Sequence, residues 1–275
     1  GVEMTARKNQ IKHNIICFVC LFLVSLYRQL SLHFLPDDPF RTYILYACYV
    51  VLLAFWALSL QARVVQKGIR ICLMIEDAIM LCGLTLRFVQ DTFWIDHIPL
   101  MRTSGLFLAS TLLPIALVEF YGAFGIGQAD DYRIPKPLWL LSVPIILLLP
   151  ATITDEKHHF FFVILPGEAQ PNLNFHPGIG ILLIYLIAFL LNVMRCIVIY
   201  RRNKLLHEQP FLQILIPFVE PILISLATFQ YLLAMLNIAP SLLDYEVIEL
   251  YAKIYYAGIL TWEIYMYLGL VPTHS

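Results

Sequence analysis

The side chains able to do chemistry in this sequence are ionisable groups set inside long apolar runs. They separate into two layers. An outer layer holds Arg28, Arg87, Asp91, Arg102, Asp155, His158, Gln230 and Glu249, and an inner layer holds Glu76, Asp77, Glu119, Arg195, Glu220 and Glu263. A charge in hydrocarbon is costly unless it is paired, hydrated or bound, so each is a candidate for function. Arg87 and Asp91 are four apart on one helical face, which suits a self-satisfied ion pair or a ligand contact equally. Arg28, Arg87 and Arg102 come from three different runs, and their planar guanidinium groups could converge on an anion. The competing use is snorkelling to lipid headgroups, above all for Arg102, which opens its run. Asp155 and His158 are three apart, so both can face one cavity. Arg87, Arg102, Asp155 and His158, with Asp91 and Arg28 beside them, are the expected ligand site.

In the inner layer, Glu220 stands between Pro217 and Pro221. Prolines free backbone carbonyls and kink a helix, a pattern found in transporters and also in simple packing kinks. Glu220, Glu263, Arg195 and Glu76 are the expected coupling residues. Metal chemistry is not expected. His158 and His159, with Asp96, His97 and His176, lack a standard ligand-pair spacing. Cys17 and Cys20 form a CxxC inside the apolar run IICFVCLFLVSL, with no second ligand pair nearby, so buried thiols are expected rather than zinc or a disulfide. No serine-nucleophile motif, HExxH, paired-aspartate site or phosphate-binding glycine loop is present, and neither a cofactor nor catalysis is expected.

The elements that must position these groups follow from composition. Of 275 residues, 60% are hydrophobic and 13% charged, and the formal net charge is −1. Soluble domains are about 45–50% apolar and about 25% charged. So apolar a chain fits lipid surroundings, which excludes a soluble enzyme, a disordered chain and a nucleic-acid binder. An all-α, polytopic transmembrane bundle is expected. A helix needs about 20 residues to cross a bilayer, and eight runs qualify: 14–35, 42–60, 69–93, 98–122, 138–154, 179–200, 211–238 and 249–270. Residues 1–13 then form a cytoplasmic N-terminal segment, in which Gly1-Val2-Glu3 ahead of Met4 is set aside as an appended remnant. Residues 14–270 form the membrane domain, and 271–275 begin a cytoplasmic exit. Basic residues fix the orientation. Arg7, Lys8, Lys12, Arg63, Lys67, Arg70, Arg133, Lys136, Arg201, Arg202 and Lys204 fall on one side. Arg28, Arg41, Arg87, Arg102, Lys157 and Lys253 fall on the other. The first side is expected to be cytoplasmic, with both termini there.

The order of segments resembles the N-terminal seven-transmembrane-type sensor region of bacterial histidine kinases. The stretch Arg63 to Arg70, the helix ending Leu86-Arg87, and Arg102 opening a helix with Leu113-Pro114 carry part of the likeness. Asp130-Asp131-Tyr132-Arg133-Ile134-Pro135-Lys136 before a helix ending Thr154-Asp155-Glu156-Lys157-His158-His159 is similar to that family's Glu-Asp-Tyr-Arg-Leu-Pro run and its Thr-Asn-Asp-Leu-His-Gln ending. Glu263 followed by Gly269-Leu270-Val271-Pro272-Thr273 is similar to the family's Gly-Leu-Ile-Pro-Ser exit toward its signalling domains. Asp155 stands where the family has Asn, Lys157 replaces an apolar residue, and eight runs exceed the family's seven. The resemblance implies a sensor in the bacterial plasma membrane, with a ligand in its outer half and output through the last helix.

The expected partners are a small-molecule ligand, the lipid bilayer, a cytoplasmic kinase module in cis or in trans, and a second copy of the chain. A rival reading is a small solute or ion transporter or channel using Glu76, Glu220 and Glu263. A membrane-embedded hydrolase comes third, because no motif organises its histidines and carboxylates.

Overall fold

The structure, a computed structural model, describes residues 2–93, 112–134, 136, 160, 162–163, 166–167, 172–202 and 258–274, with isolated positions between 221 and 238. It is mostly helical. Helix α1 (Val2–Phe34) turns into α2 (Arg41–Arg63), and a three-residue connection leads to α3 (Lys67–Thr92). Then come α4 (Leu112–Phe124), a two-residue antiparallel strand pair β1 (Phe162–Val163) and β2 (Asn172–Leu173), and α5 (Phe175–Arg202). Helical residues 258–267 form a C-terminal segment. Lys8–Phe34 and Arg41–Arg63 are long and apolar enough to cross a membrane.

Burial follows helical periodicity. On α1 the shielded positions include Gln10, Asn14, Cys17, Leu21, Val24, Arg28 and Ser31, alternating four and three apart. That seven-residue repeat keeps a narrow seam against a neighbour, as in left-handed helix packing. The rest of α1, including Phe18, Phe22 and Leu23, is exposed apolar surface. α2 buries Tyr49, Leu53, Trp56 and Leu60 with the same spacing, and one more step along that stripe reaches Arg63. α3 buries Ile69, Cys72, Leu73, Glu76, Asp77 and Met80. Two carboxyl groups therefore stand on a face that otherwise packs apolar side chains.

The core sits among α2, α3, α4 and the C-terminal segment, with Trp262, Tyr121, Tyr265, Phe124 and Leu60 among its most buried large side chains. α4 is buried at Ile115, Leu117, Val118, Glu119, Tyr121, Ala123 and Phe124, which is nearly every direction around its axis. Gly122 lets Trp262 approach: a Cβ there would lie 3.0 Å from the indole.

The C-terminal end of the described chain meets the α2–α3 connection. The C-terminal segment closes with Gly269 at φ 78°, the Leu270 N–H donating to Tyr265 O at 3.0 Å and the Gly269 N–H to Met266 O at 3.2 Å. This is the paired-bond ending that a left-handed glycine permits. The chain after it lies along the connection: Val65 N–H donates to Pro272 O (3.1 Å), His274 N–H donates to Arg63 O (2.8 Å), and Val64 pairs with Thr273. Gln66 fastens the same corner to the end of α4, its side-chain amide donating to Gly125 O at 2.9 Å and Gln128 O at 3.1 Å. At the opposite end of α2, Tyr46 stacks on Phe88 with ring centroids 4.2 Å apart, and its hydroxyl lies 2.9 Å from Thr85 Oγ1. There the Arg41 guanidinium donates to Leu35 O at 3.2 Å, covering a carbonyl just past the end of α1.

Candidate functional site

A polar layer crosses the bundle near the α2–α3 connection. Two neighbours on the C-terminal segment organise it, because consecutive residues of a helix point about 100° apart. Glu263 faces α1 and α2, and Trp262 faces α4.

Glu263 is 2% exposed and forms an ion pair with Arg63, which is 12% exposed. Arg63 Nη2 lies 2.5 Å from Glu263 Oε1 and Nη1 lies 2.9 Å from Oε2, a two-pronged contact. Trp56 Nε1–H donates to Oε1 at 3.0 Å and the Gln10 amide donates to Oε2 at 3.0 Å. Arg63 also donates through Nε to Ser59 Oγ at 2.6 Å and through Nη1 to Gln10 Oε1 at 3.1 Å. The Asn14 amide, turned to suit its neighbours, donates to Glu263 Oε2 at 2.9 Å. Each partner comes from a buried stripe: Gln10 and Asn14 from α1, Trp56 and Arg63 from α2. A buried carboxylate holds its charge at little net cost only when surrounded by donors in this way.

On the other side, Glu119 is 1% exposed and accepts a hydrogen bond from Trp262 Nε1–H at 2.7 Å. Glu76 on α3 is also 1% exposed. Glu119 Oε1 is buried, and no donor among the described residues reaches it.

Of the expected coupling residues, Glu263 and Glu76 are both buried, and Glu263 adjoins Trp262, whose indole donates to Glu119. Arg195 lies on α5, with its side chain outside the described residues, and Glu220 lies outside them altogether. Of the expected ligand residues, Arg28 is half-buried on the seam of α1, near the end opposite Gln10. Arg87 and Asp91 lie in the last two turns of α3, their side chains outside the described residues; Arg102, Asp155 and His158 lie outside the described residues entirely.

Sequence reasoning did not single out Trp56, Trp262, Gln10, Asn14 or Gln66. A signal was present for three of them: Gln10 and Asn14 continue the seven-residue repeat of Cys17, Leu21 and Val24, and Trp56 shares a stripe with Arg63. No family model, curated protein or solved structure matches the chain.

Proposed function

We propose that the chain is a membrane-embedded signal-input module of a two-component histidine kinase receptor. In this reading it crosses the bacterial plasma membrane several times and keeps both termini in the cytoplasm. A small extracellular or membrane-borne ligand binds in the outer half, among Arg28, Arg87, Asp91, Arg102, Asp155 and His158. The chain itself catalyses nothing; a kinase module in cis or in trans, in a dimer of two copies, receives the output.

The observation that carries the reading is the double attachment of the C-terminal segment. Trp262 ties it to α4, Glu263 ties it to α1 and α2, and the tail after Gly269 lies on the α2–α3 connection. A movement of α2 or α3 is therefore delivered directly to the segment that exits toward the signalling domains. A ligand produces such a movement when it prefers one helix arrangement over another. The meeting of Gln10 with Glu263 supports an even number of crossings. The exposed Phe18, Phe22, Phe55 and Leu58 suit contact with lipid rather than water.

The transporter reading draws support from the burial of Glu76 and Glu119 inside the bundle, since buried carboxyls occur along proton paths. Glu263 suits it poorly, because its oxygens are occupied by Arg63, Trp56 and Gln10. Purified chain in proteoliposomes decides between the two. The sensor reading expects no proton or cation flux above empty vesicles, and flux abolished by Glu76→Gln would replace it with the transporter. Cysteines introduced at Asn203 and Ser241 test orientation: only the latter should label from outside intact cells. Arg87→Ala and His158→Ala should each abolish signalling without unfolding the protein. Normal signalling by both removes the outer-half site.

A further inference from the structure

The two ends of the α1–α2 hairpin differ in charge. Where α1 turns into α2, Asp37 is exposed, Asp38 accepts from the Phe40 N–H at 3.0 Å, and the Arg41 guanidinium is spent on main-chain carbonyls. At the other end the cations stay outside. Lys8 and Lys12 are exposed two residues to either side of Gln10, which Arg63 holds to the end of α2 at 3.1 Å. Lys67, also exposed, opens α3, and the N–H of the next residue, Gly68, donates to Tyr132 O at 2.9 Å. That bond sets the exposed Arg133 beside the start of α3, with the exposed Lys136 three residues further along the chain. Among the described residues, none of these five cations belongs to an ion pair. Arg70 adds a sixth positive charge, its Nη1 donating to Val64 O at 3.2 Å. Asp130 and Asp131 are exposed on the same stretch as Arg133 and oppose them. Six cations against two carboxylates leave this rim positive.

We propose that this rim binds the headgroups of anionic phospholipids. What adjoins the cations selects lipid over a soluble acidic partner. Ile15 and Ile16 follow Lys12 by about one turn of α1 and are 57% and 49% exposed. On α2, Phe55 and Leu58 are each 68% exposed within about two turns of Arg63. The apolar helices Lys8–Phe34 and Arg41–Arg63 are long enough to cross a bilayer, and the positive rim falls at the Lys8 and Arg63 limits of both. A phospholipid presents the same order of surfaces, acyl chain and then phosphate, so one molecule covers both. A soluble acidic chain would answer the charge and leave the apolar surface in water. Lys and Arg can lay their methylenes on that surface and lift their charge to the headgroups, and each strengthens attraction to an anionic leaflet about fivefold. The site rests on the membrane-spanning part of the sensor reading and on nothing in its signalling.

Spin-labelled lipids test it, with the full chain in vesicles of phosphatidylcholine. A lipid held at the protein surface gives a motionally restricted electron paramagnetic resonance signal. The restricted fractions of labelled phosphatidylglycerol and labelled phosphatidylcholine therefore give their relative affinities. In low salt phosphatidylglycerol should be preferred by about twofold or more. The triple variant Lys67→Gln/Arg133→Gln/Lys136→Gln should lose most of that preference. Equal association of the two lipids with the unaltered protein overturns the site and leaves the rim to an acidic protein partner. A preference that the variant keeps in full overturns it too. If the variant does not fold, salt at about 1 M takes its place, because it shortens the screening length to about 3 Å. An undiminished preference there overturns the site equally. Restricted signal from neither lipid would show that the chain is not in the bilayer, and the membrane reading would fail together with this site. Failure of the rim alone leaves restricted lipid without selectivity, so the two failures remain distinguishable.

Discussion

Glu263 and Glu119 are equally hidden, and each accepts a hydrogen bond from a tryptophan indole. Their third partners separate them. Glu263 has a guanidinium in two-pronged contact and an amide as well, so its charge is answered in full. Glu119 has no second donor among the described residues, its Oε1 being buried and unanswered. One side of the polar layer is thus closed on itself, and the other keeps an acceptor without a described donor. Burial of an acid does not distinguish the two; the number and charge of the donors that face it do.

The largest test breaks the joint. Arg63→Ala leaves the Glu263 charge buried without its counter-ion, and should cost about 3–5 kcal/mol of stability in denaturant unfolding. Exchanging both partners for apolar residues, Arg63→Met with Glu263→Leu, should recover most of that loss. A double variant as unstable as the single one would mean that Arg63 acts through something other than Glu263.

A smaller effect sharpens the comparison. Trp56→Phe and Trp262→Phe each delete an indole N–H, but from acids with different remaining donors. Trp56→Phe leaves Glu263 with Arg63 and Gln10 and should lose about 0.5–1.5 kcal/mol, whereas Trp262→Phe strips the buried Glu119 of its one described donor and should lose about 1.5–3 kcal/mol. Equal losses in thermal unfolding would erase the distinction between the two sides. The smallest effect belongs to Glu119→Gln, whose amide keeps an oxygen for the Trp262 indole. It should change stability by less than about 1 kcal/mol, against a much larger loss for Glu263→Gln, which strands Arg63. A severe loss in Glu119→Gln would show its carboxylate to be a structural joint as well.

The helices were legible because hydropathy and helical period are local properties. α2 and α3 run close to the expected 42–60 and 69–93, and the acids Glu76, Glu119 and Glu263 stood out as polar residues in apolar runs. Which acid met which partner was not legible. Gln10 and Glu263 are 253 positions apart, and no spacing rule spans that distance. Residues 1–13 are expected from their charge to form a cytoplasmic segment, and the structure adds that α1 begins at Val2 and turns Gln10 inward. Arg63 counted as a cytoplasmic basic residue at a helix end. It lies at that end of α2, but its guanidinium folds back onto Glu263 instead of reaching toward headgroups. A basic residue at a boundary serves orientation and packing alike, and only the acid on a distant helix reveals which.

The joint between Arg63 and Glu263 also has a history in the life of each molecule. The two residues are 200 positions apart, and at about 5–20 residues per second a ribosome needs about 10–40 s to get from one to the other. Throughout that interval α1 and α2 already exist while the carboxylate that locks them has not been made. Gln10, Asn14, Trp56 and Arg63 are left holding a polar notch open toward a partner still to be synthesised. Arrival of Glu263 closes the notch and fastens the earliest helix to the C-terminal segment. Quality control therefore has a physical mark to read, since a chain interrupted before Glu263 keeps an unanswered arginine at its first hairpin.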